Sequence, residues 1–220
     1  MSGIKRPAAD RQRPKGPQLR YDQIRERIQD GDVLLFQGLS WISRLIRWVS
    51  NSPYSHAGIA LWWQERLMVI QAAGRGVEIL AASTAVRRYD GQVDWWQPNE
   101  DVRARLNVKV LIHSSFDELG KPYGVLPLAA LAARMFRGKE RGNPDAKGKV
   151  ANYFCSQLVS RCYRRAGVDL VRDKADQDTS PGDLAHSGQL VFRGVLRKHA
   201  HGIPAPESSQ NSGPPAANAA

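Results

Sequence analysis

The sequence predicts an α+β domain in which an antiparallel sheet or small barrel packs against helices. Three observations carry this prediction. Short apolar runs bounded by glycine, proline and polar turns fill residues 33 to 96, helical spacing takes over from residue 101, and one last apolar run, Leu190 to Leu196, follows the helices. The expected order is strand, helix, several strands, then helices and one final strand, a segregated pattern without the alternation that βαβ units would give.

In chain order, residues 1–20 are rich in Pro, Arg and Lys with few large apolar groups, and are expected to form a disordered basic arm. Tyr21 to Gln29 reads as a short charged helix ended by Asp30-Gly31. Val33-Leu34-Leu35-Phe36 reads as a buried strand between Gly31 and Gly38. Ser40 is placed to cap a helix whose apolar face is Trp41, Ile42, Leu45, Ile46 and Val49, with Asn51-Ser52-Pro53 as its stop. His56 to Trp62 and Leu67 to Ala73 read as antiparallel neighbours joined by a turn at Gln64-Glu65-Arg66. Gly76 to Leu80 continues the meander, and Gln92 to Trp96 adds a strand.

Asp101 to Leu119 carries one helical pattern, which Gly120-Lys121-Pro122 breaks. Tyr123 to Phe136 reads as a second helix, followed by a polar loop from Arg137 to Lys149. Leu158, Val159, Cys162 and Tyr163 form the apolar face of a further helix that begins near Cys155 and stops at Ala166-Gly167. Ser180-Pro181 then reads as a capped helix start. The folded domain is expected over residues 21–198, with residues 199–220 as a disordered tail.

The 220 residues suit one domain with extensions, and 42% hydrophobic content is globular. The formal net charge is +11, of which residues 1–30 supply +4 from eight Lys/Arg against four acids. That balance favours an anionic partner surface. The arm lacks aromatic–basic interleaving, and no nucleic-acid signature occurs, so nucleic acid is not expected as a partner. The two cysteines lie seven residues apart on one expected helix, about 10 Å along its axis and too far for a disulfide. With no signal-peptide core at the start and no apolar run long enough to span a bilayer, the expected location is cytoplasmic.

The chemistry centres on Cys155. A cysteine in the first turn of a helix faces unpaired amide N–H groups and the positive end of the dipole, which favour the thiolate. A thiol nucleophile needs a base, and His56 opens a strand directly after Ser52-Pro53-Tyr54-Ser55. A third group must orient the imidazole. Gln71 is the polar residue within an otherwise apolar strand next to that of His56; its alternative is an edge position facing water. Glu78, one strand further on, is the other candidate for orienting the ring. His113 and His186 have no polar neighbours that suggest a site, and His199 and His201, at the C-terminal end where the fold fades, are expected to be solvent-exposed and without a role.

Gly31 to Phe36, Tyr54 to Ala60, Phe154 to Val159 and Thr179 to Leu184 occur in an order that resembles the circularly permuted papain-like amidases of the NlpC superfamily, the YaeF/YiiX-like group. In that group the histidine strand precedes the cysteine helix, as here. The resemblance implies a permuted papain-like fold, Cys155 as nucleophile, His56 as general base and acid, and an acyl-enzyme on the thiol. It places Gln71 where the family usually has a glutamate or another polar residue. It further implies an oxyanion held by the Cys155 amide and by the hydroxyl of Tyr54. The expected substrate is a small peptide or acyl compound, cell-wall peptide among them, and neither metal nor cofactor is expected. Two other functions remain open on the sequence: a catalytically silent binding domain of the same fold, and acyl transfer to or from lipid.

Overall fold

The computed structural model describes residues 14–40, 43–44, 47–48, 51–73, 76–122 and 155–197. Among these, seven strands form one sheet in the order β1-β7-β6-β2-β3-β4-β5. The strands are β1 (Gln18–Arg20), β2 (Val33–Gly38), β3 (His56–Trp63), β4 (Arg66–Ala73), β5 (Gly76–Ala81), β6 (Gly91–Pro98) and β7 (Leu190–Arg197). Every pairing is antiparallel except that of β1 with β7. The helices are α1 (Tyr21–Ile24), α2 (Ala82–Arg88), α3 (Glu100–Arg105), α4 (Val108–Asp117), α5 (Cys155–Arg165) and α6 (Pro181–His186).

Strand β2 is central, and both of its faces are covered. Val33 and Leu35 join a cluster with Ile59, Ile70, Leu158, Val159, Cys162 and Tyr163, while Leu34 and Phe36 join a second with Tyr21, Ile24, Val69, Ala85 and Val86. This explains why β2 reads as a continuous apolar run: alternation disappears when both faces are buried. The first cluster seats α5 against the sheet, and the second seats α1 and α2.

The connection into β2 is held by a buried carboxylate. Asp32 accepts from the Gln29 backbone N–H at 3.0 Å, Trp95 Nε1 at 2.7 Å and Gln97 Nε2 at 3.0 Å, and pairs with Arg103. The residue before it, Gly31, has φ of +85°, and Tyr163 of α5 donates to its carbonyl oxygen. A left-handed backbone with a side chain pressed against it favours glycine there. Gly31-Asp32 therefore ties α5, β2, β6 and α3 together.

Several elements differ from the expected ones. The charged helix after residue 20 is a four-residue α1 followed by a 3₁₀ turn over Arg25–Arg27. The pattern from Asp101 to Leu119 divides into α3 and α4, because Asn99 and Asn107 each accept from a backbone N–H three residues ahead and cap separate helices. Gln18–Arg20, within the stretch expected to be disordered, forms β1 along β7. Helix α2 had no counterpart in the sequence reading. The Ser180 cap and Pro181 start of α6 match it, with a full capping box to Asp183. Ser40 accepts from the Ser43 N–H at 3.1 Å, as a cap does. The apolar face expected at Trp41, Ile42, Leu45, Ile46 and Val49 lies outside the described residues, as do Tyr123 to Phe136, Arg137 to Lys149, residues 1–13 and residues 198–220. Among the described residues, no helix is long and apolar enough to cross a membrane.

Candidate functional site

The loop from Asn51 to Ser55 fixes where β3 begins. Ser52 N donates to the Arg47 carbonyl at 3.0 Å, Tyr54 N to Ser52 Oγ at 3.2 Å, and Ser55 N to the Phe36 carbonyl at 2.8 Å. Ser55 Oγ accepts from Gly38 N at 3.0 Å. His56 thus leaves a tightly bonded turn and enters the sheet opposite Phe36, whose ring lies 5.1 Å from the imidazole.

Cys155 reaches the same place from α5. Its neighbour Ser156 donates to the Thr179 carbonyl at 2.6 Å, which ties the start of α5 to the stretch before α6. Gly182 of α6 in turn packs on Ser52: a Cβ there would lie 2.5 Å from Ser52 Cβ. The stretches around Ser52, Cys155 and Thr179–Gly182, far apart in sequence, therefore lock together around one point.

At that point Cys155 and His56 are within hydrogen-bond reach. Cys155 is 5% exposed. Burial alone would raise its thiol, but the His56 charge, the hydrogen bond from His56 and the backbone N–H groups of Ala57 and Ser156 outweigh it and hold the thiol below its ordinary value. Burial alone would likewise lower His56. The Cys155 thiolate, hydrogen bonds to Cys155 and Gln71, and the charge of Glu78 outweigh it and hold the imidazole above its ordinary value. Opposite displacements of two adjacent groups favour a thiolate–imidazolium pair. Cys162, two turns along α5, is fully buried in the core, and its thiol is pushed up to about 11 by burial despite a hydrogen bond with Ser115.

Gln71 is brought to the site. Its Oε1 lies 2.8 Å from His56 Nε2, and its Nε2 donates to Glu78 Oε1 at 2.9 Å. The alternative of a water-facing edge position fails, because β4 lies between β3 and β5 and Gln71 is 9% exposed. The two candidates for the orienting group are thus both present in series. Gly58 makes the room: it pairs with Gln71 across the ladder, and a Cβ on it would lie 2.6 Å from Val69 Cγ1.

Tyr54 is placed elsewhere. Its hydroxyl donates to Asp94 Oδ2 at 2.7 Å and its ring is buried edge-on to Trp96, so the expectation that it serves an oxyanion is corrected. The tyrosine beside the pair is Tyr89, which the sequence reading missed. Its hydroxyl faces the space left by Gly38, bonds with Ser55 and Ser43, and is close enough to Cys155 for the thiolate charge to act on it. Its ring lies 4.8 Å from that of Phe36 and its side chain is half-buried. Burial raises its hydroxyl above the ordinary value, with the Cys155 charge adding to this and the two serines opposing, so it remains a donor at neutral pH. A groove of about 800 Å³ lined by Gln29, Gln97, Asn99, Arg103 and Arg193 shares no residue with this site. His113 is exposed near Asp117, and His186 bonds the Gly182 carbonyl at 2.8 Å.

No family model matches the chain, and no curated protein matches it. Among solved structures it resembles the metalloprotein YiiX from Escherichia coli O157:H7, with a TM-score of 0.52 and 16% identity, covering 78% of this chain and 97% of that one. The fold is therefore YiiX-like.

Proposed function

We propose that the protein is a cysteine hydrolase of permuted papain-like fold that cleaves an amide or ester bond in a peptide or acyl substrate through a thioester on Cys155. The observation that carries this reading is the pairing of buried Cys155 at the start of α5 with half-buried His56 at the start of β3, with the thiol held low and the imidazole held high. In the first half-reaction His56 takes the thiol proton and the sulfur attacks the carbonyl carbon. Negative charge then develops on the carbonyl oxygen, where the Cys155 N–H and the Tyr89 hydroxyl are candidate donors among the described residues. His56 returns its proton to the departing amine or alkoxide as the thioester forms. In the second, His56 removes a proton from water, the resulting hydroxide attacks the thioester, and the acid and the free thiol are released.

The structural neighbour YiiX is a metalloprotein, so the donor set here bears on the reaction. Cys155 and His56 are ligand types that soft divalent ions take, but the next group in line is the amide of Gln71, whose oxygen faces His56. Among the described residues, no group of three or more His, Cys, Asp or Glu is gathered to hold a metal. The residues described do not fit a resident metal at this site.

Hydrolysis of p-nitrophenyl acetate, an activated ester, tests the proposal. Cys155→Ala is expected to abolish turnover, and a Cys155→Ala protein as fast as the parent would sink it. One observation favours a lipid as the source of the acyl group. Leu39 and Trp48, 58% and 67% exposed, flank the segment whose Ser43 reaches Tyr89. Sedimentation with anionic vesicles at low salt and release at high salt supports that source; no sedimentation favours a peptide.

A further inference from the structure

We infer that Glu78 is a positioning residue for His56, acting through the side-chain amide of Gln71; the inference rests on the cysteine-hydrolase reading. The register of β4 and β5 sets Gln71 opposite Glu78, and Gln71 Nε2 donates to Glu78 Oε1 at 2.9 Å. A carboxylate offers acceptors, so it takes the NH₂ end of the amide. That choice leaves Gln71 Oε1 facing His56 Nε2 at 2.8 Å. An amide oxygen cannot donate, so Nε2 must carry the proton, and Nδ1 is the nitrogen left for Cys155. Glu78 therefore determines, two hydrogen bonds away, which nitrogen of His56 serves as base.

Gln71 cannot make this choice alone. Turned about its last side-chain bond, it would present NH₂ to Nε2. The neutral ring would then carry its proton on Nδ1 and offer the thiol a donor where it needs a base. Gln71 is buried on an inner strand, whereas Glu78 is exposed on β5 at the end of the sheet order. The group that sets the amide is thus reachable from solvent, and a substitution there leaves the core untouched.

Iodoacetamide, a neutral electrophile, reads the Cys155 thiolate without any substrate. Its rate at Cys155 is followed by peptide mass spectrometry from pH 4 to pH 9 in the parent, Glu78→Gln and Glu78→Lys, with thermal melts of each. Glu78→Gln keeps an acceptor for Gln71 but removes the charge that helps hold His56 high, and is expected to slow alkylation at pH 6 by no more than about threefold. Glu78→Lys offers donors alone and turns the amide; it is expected to slow alkylation at pH 6 by about tenfold while melting with the parent. A Glu78→Lys protein with the parent's melt and the parent's pH profile overturns the inference, and so does equal slowing in both variants. If Glu78→Lys fails to fold, the exchange Gln71→Glu with Glu78→Gln decides. It places a carboxylate directly on Nε2 and is expected to keep the acid limb at or below the parent's pH, and loss of that limb overturns the inference. A parent whose Cys155 reacts no faster than an ordinary free thiol removes the hydrolase reading as well. A fast parent with an unmoved Glu78→Lys profile removes the Glu78 role alone.

Discussion

His56 Nε2 and Gln71 Oε1 lie 2.8 Å apart, on neighbouring strands joined by a two-residue turn. That contact fixes the imidazole plane and leaves its other nitrogen toward α5. An amide in this place orients the ring as well as a carboxylate does, but it supplies no charge, which leaves Glu78 and the Cys155 thiolate to stabilise the imidazolium.

The pH dependence follows from the two displaced groups. Because the Cys155 thiol is held low, thiolate persists below the ordinary cysteine range and is lost as pH falls through the lowered value. Because His56 is held high, its proton for the leaving group persists above the ordinary histidine range and is lost as pH rises through the raised value. Turnover of an activated ester is expected to trace a bell between these limits. A single limb centred on ordinary histidine behaviour would contradict the pairing.

The two tyrosines separate cleanly. Tyr54→Phe leaves buried Asp94 without its hydroxyl partner and is expected to cost about 1–3 kcal/mol of stability, read by chemical denaturation, with little effect on turnover per folded molecule. Tyr89→Phe is expected to melt close to the parent and to lower kcat for an activated ester by at least about tenfold. The reverse pattern would return the oxyanion role to Tyr54.

Gly58 is the position at which sheet packing and the site meet. Gly58→Val would press a side chain onto Val69 and the Gln71 stem. It is expected to lower the melting temperature and, in the fraction that remains folded, to slow Cys155 alkylation as Gln71 is displaced. Unchanged melting and alkylation would show that β3 and β4 do not hold the contact in the way described.

Asp32 carries the stability of the β2 approach. Arg103 pairs with it, and the carboxyl is fully buried. Asp32→Ala removes the acceptor shared by Arg103, Trp95 Nε1 and Gln97 Nε2, leaving Arg103 only the Asp30 carbonyl among its described acceptors, and is expected to cost about 3–5 kcal/mol by denaturant unfolding. A loss below about 1 kcal/mol would show that the network is peripheral.

Much of this site was legible in the sequence because its two main residues sit where local patterns change. Cys155 begins a helix whose buried face, Leu158, Val159, Cys162 and Tyr163, is read directly from spacing, and His56 begins an apolar strand after a turn. Gln71 was ambiguous for a physical reason: a polar residue in an apolar strand looks the same on an edge as between two strands, and only the pairing of β4 with β5 decides. Tyr54 misled because adjacency to His56 says nothing about direction; its ring turns inward to Asp94, forty residues away, while Tyr89 arrives from the end of an unforeseen helix. The break between α3 and α4 was hidden because Leu106 continues the apolar rhythm while Asn107 caps anew. Strand β1 is three residues long and rests on pairing with β7, nearly at the other end of the chain, which no local pattern reports.

Cys155 is expected to become acylated with His56 as its base, and intact-protein mass spectrometry after brief mixing with p-nitrophenyl butyrate at pH 7 reads that step. One butyryl adduct is expected, mapped to Cys155, that decays as the ester is consumed and is absent from Cys155→Ala and His56→Ala. Failure to acylate Cys155, or equal acylation in the His56→Ala protein, would contradict it.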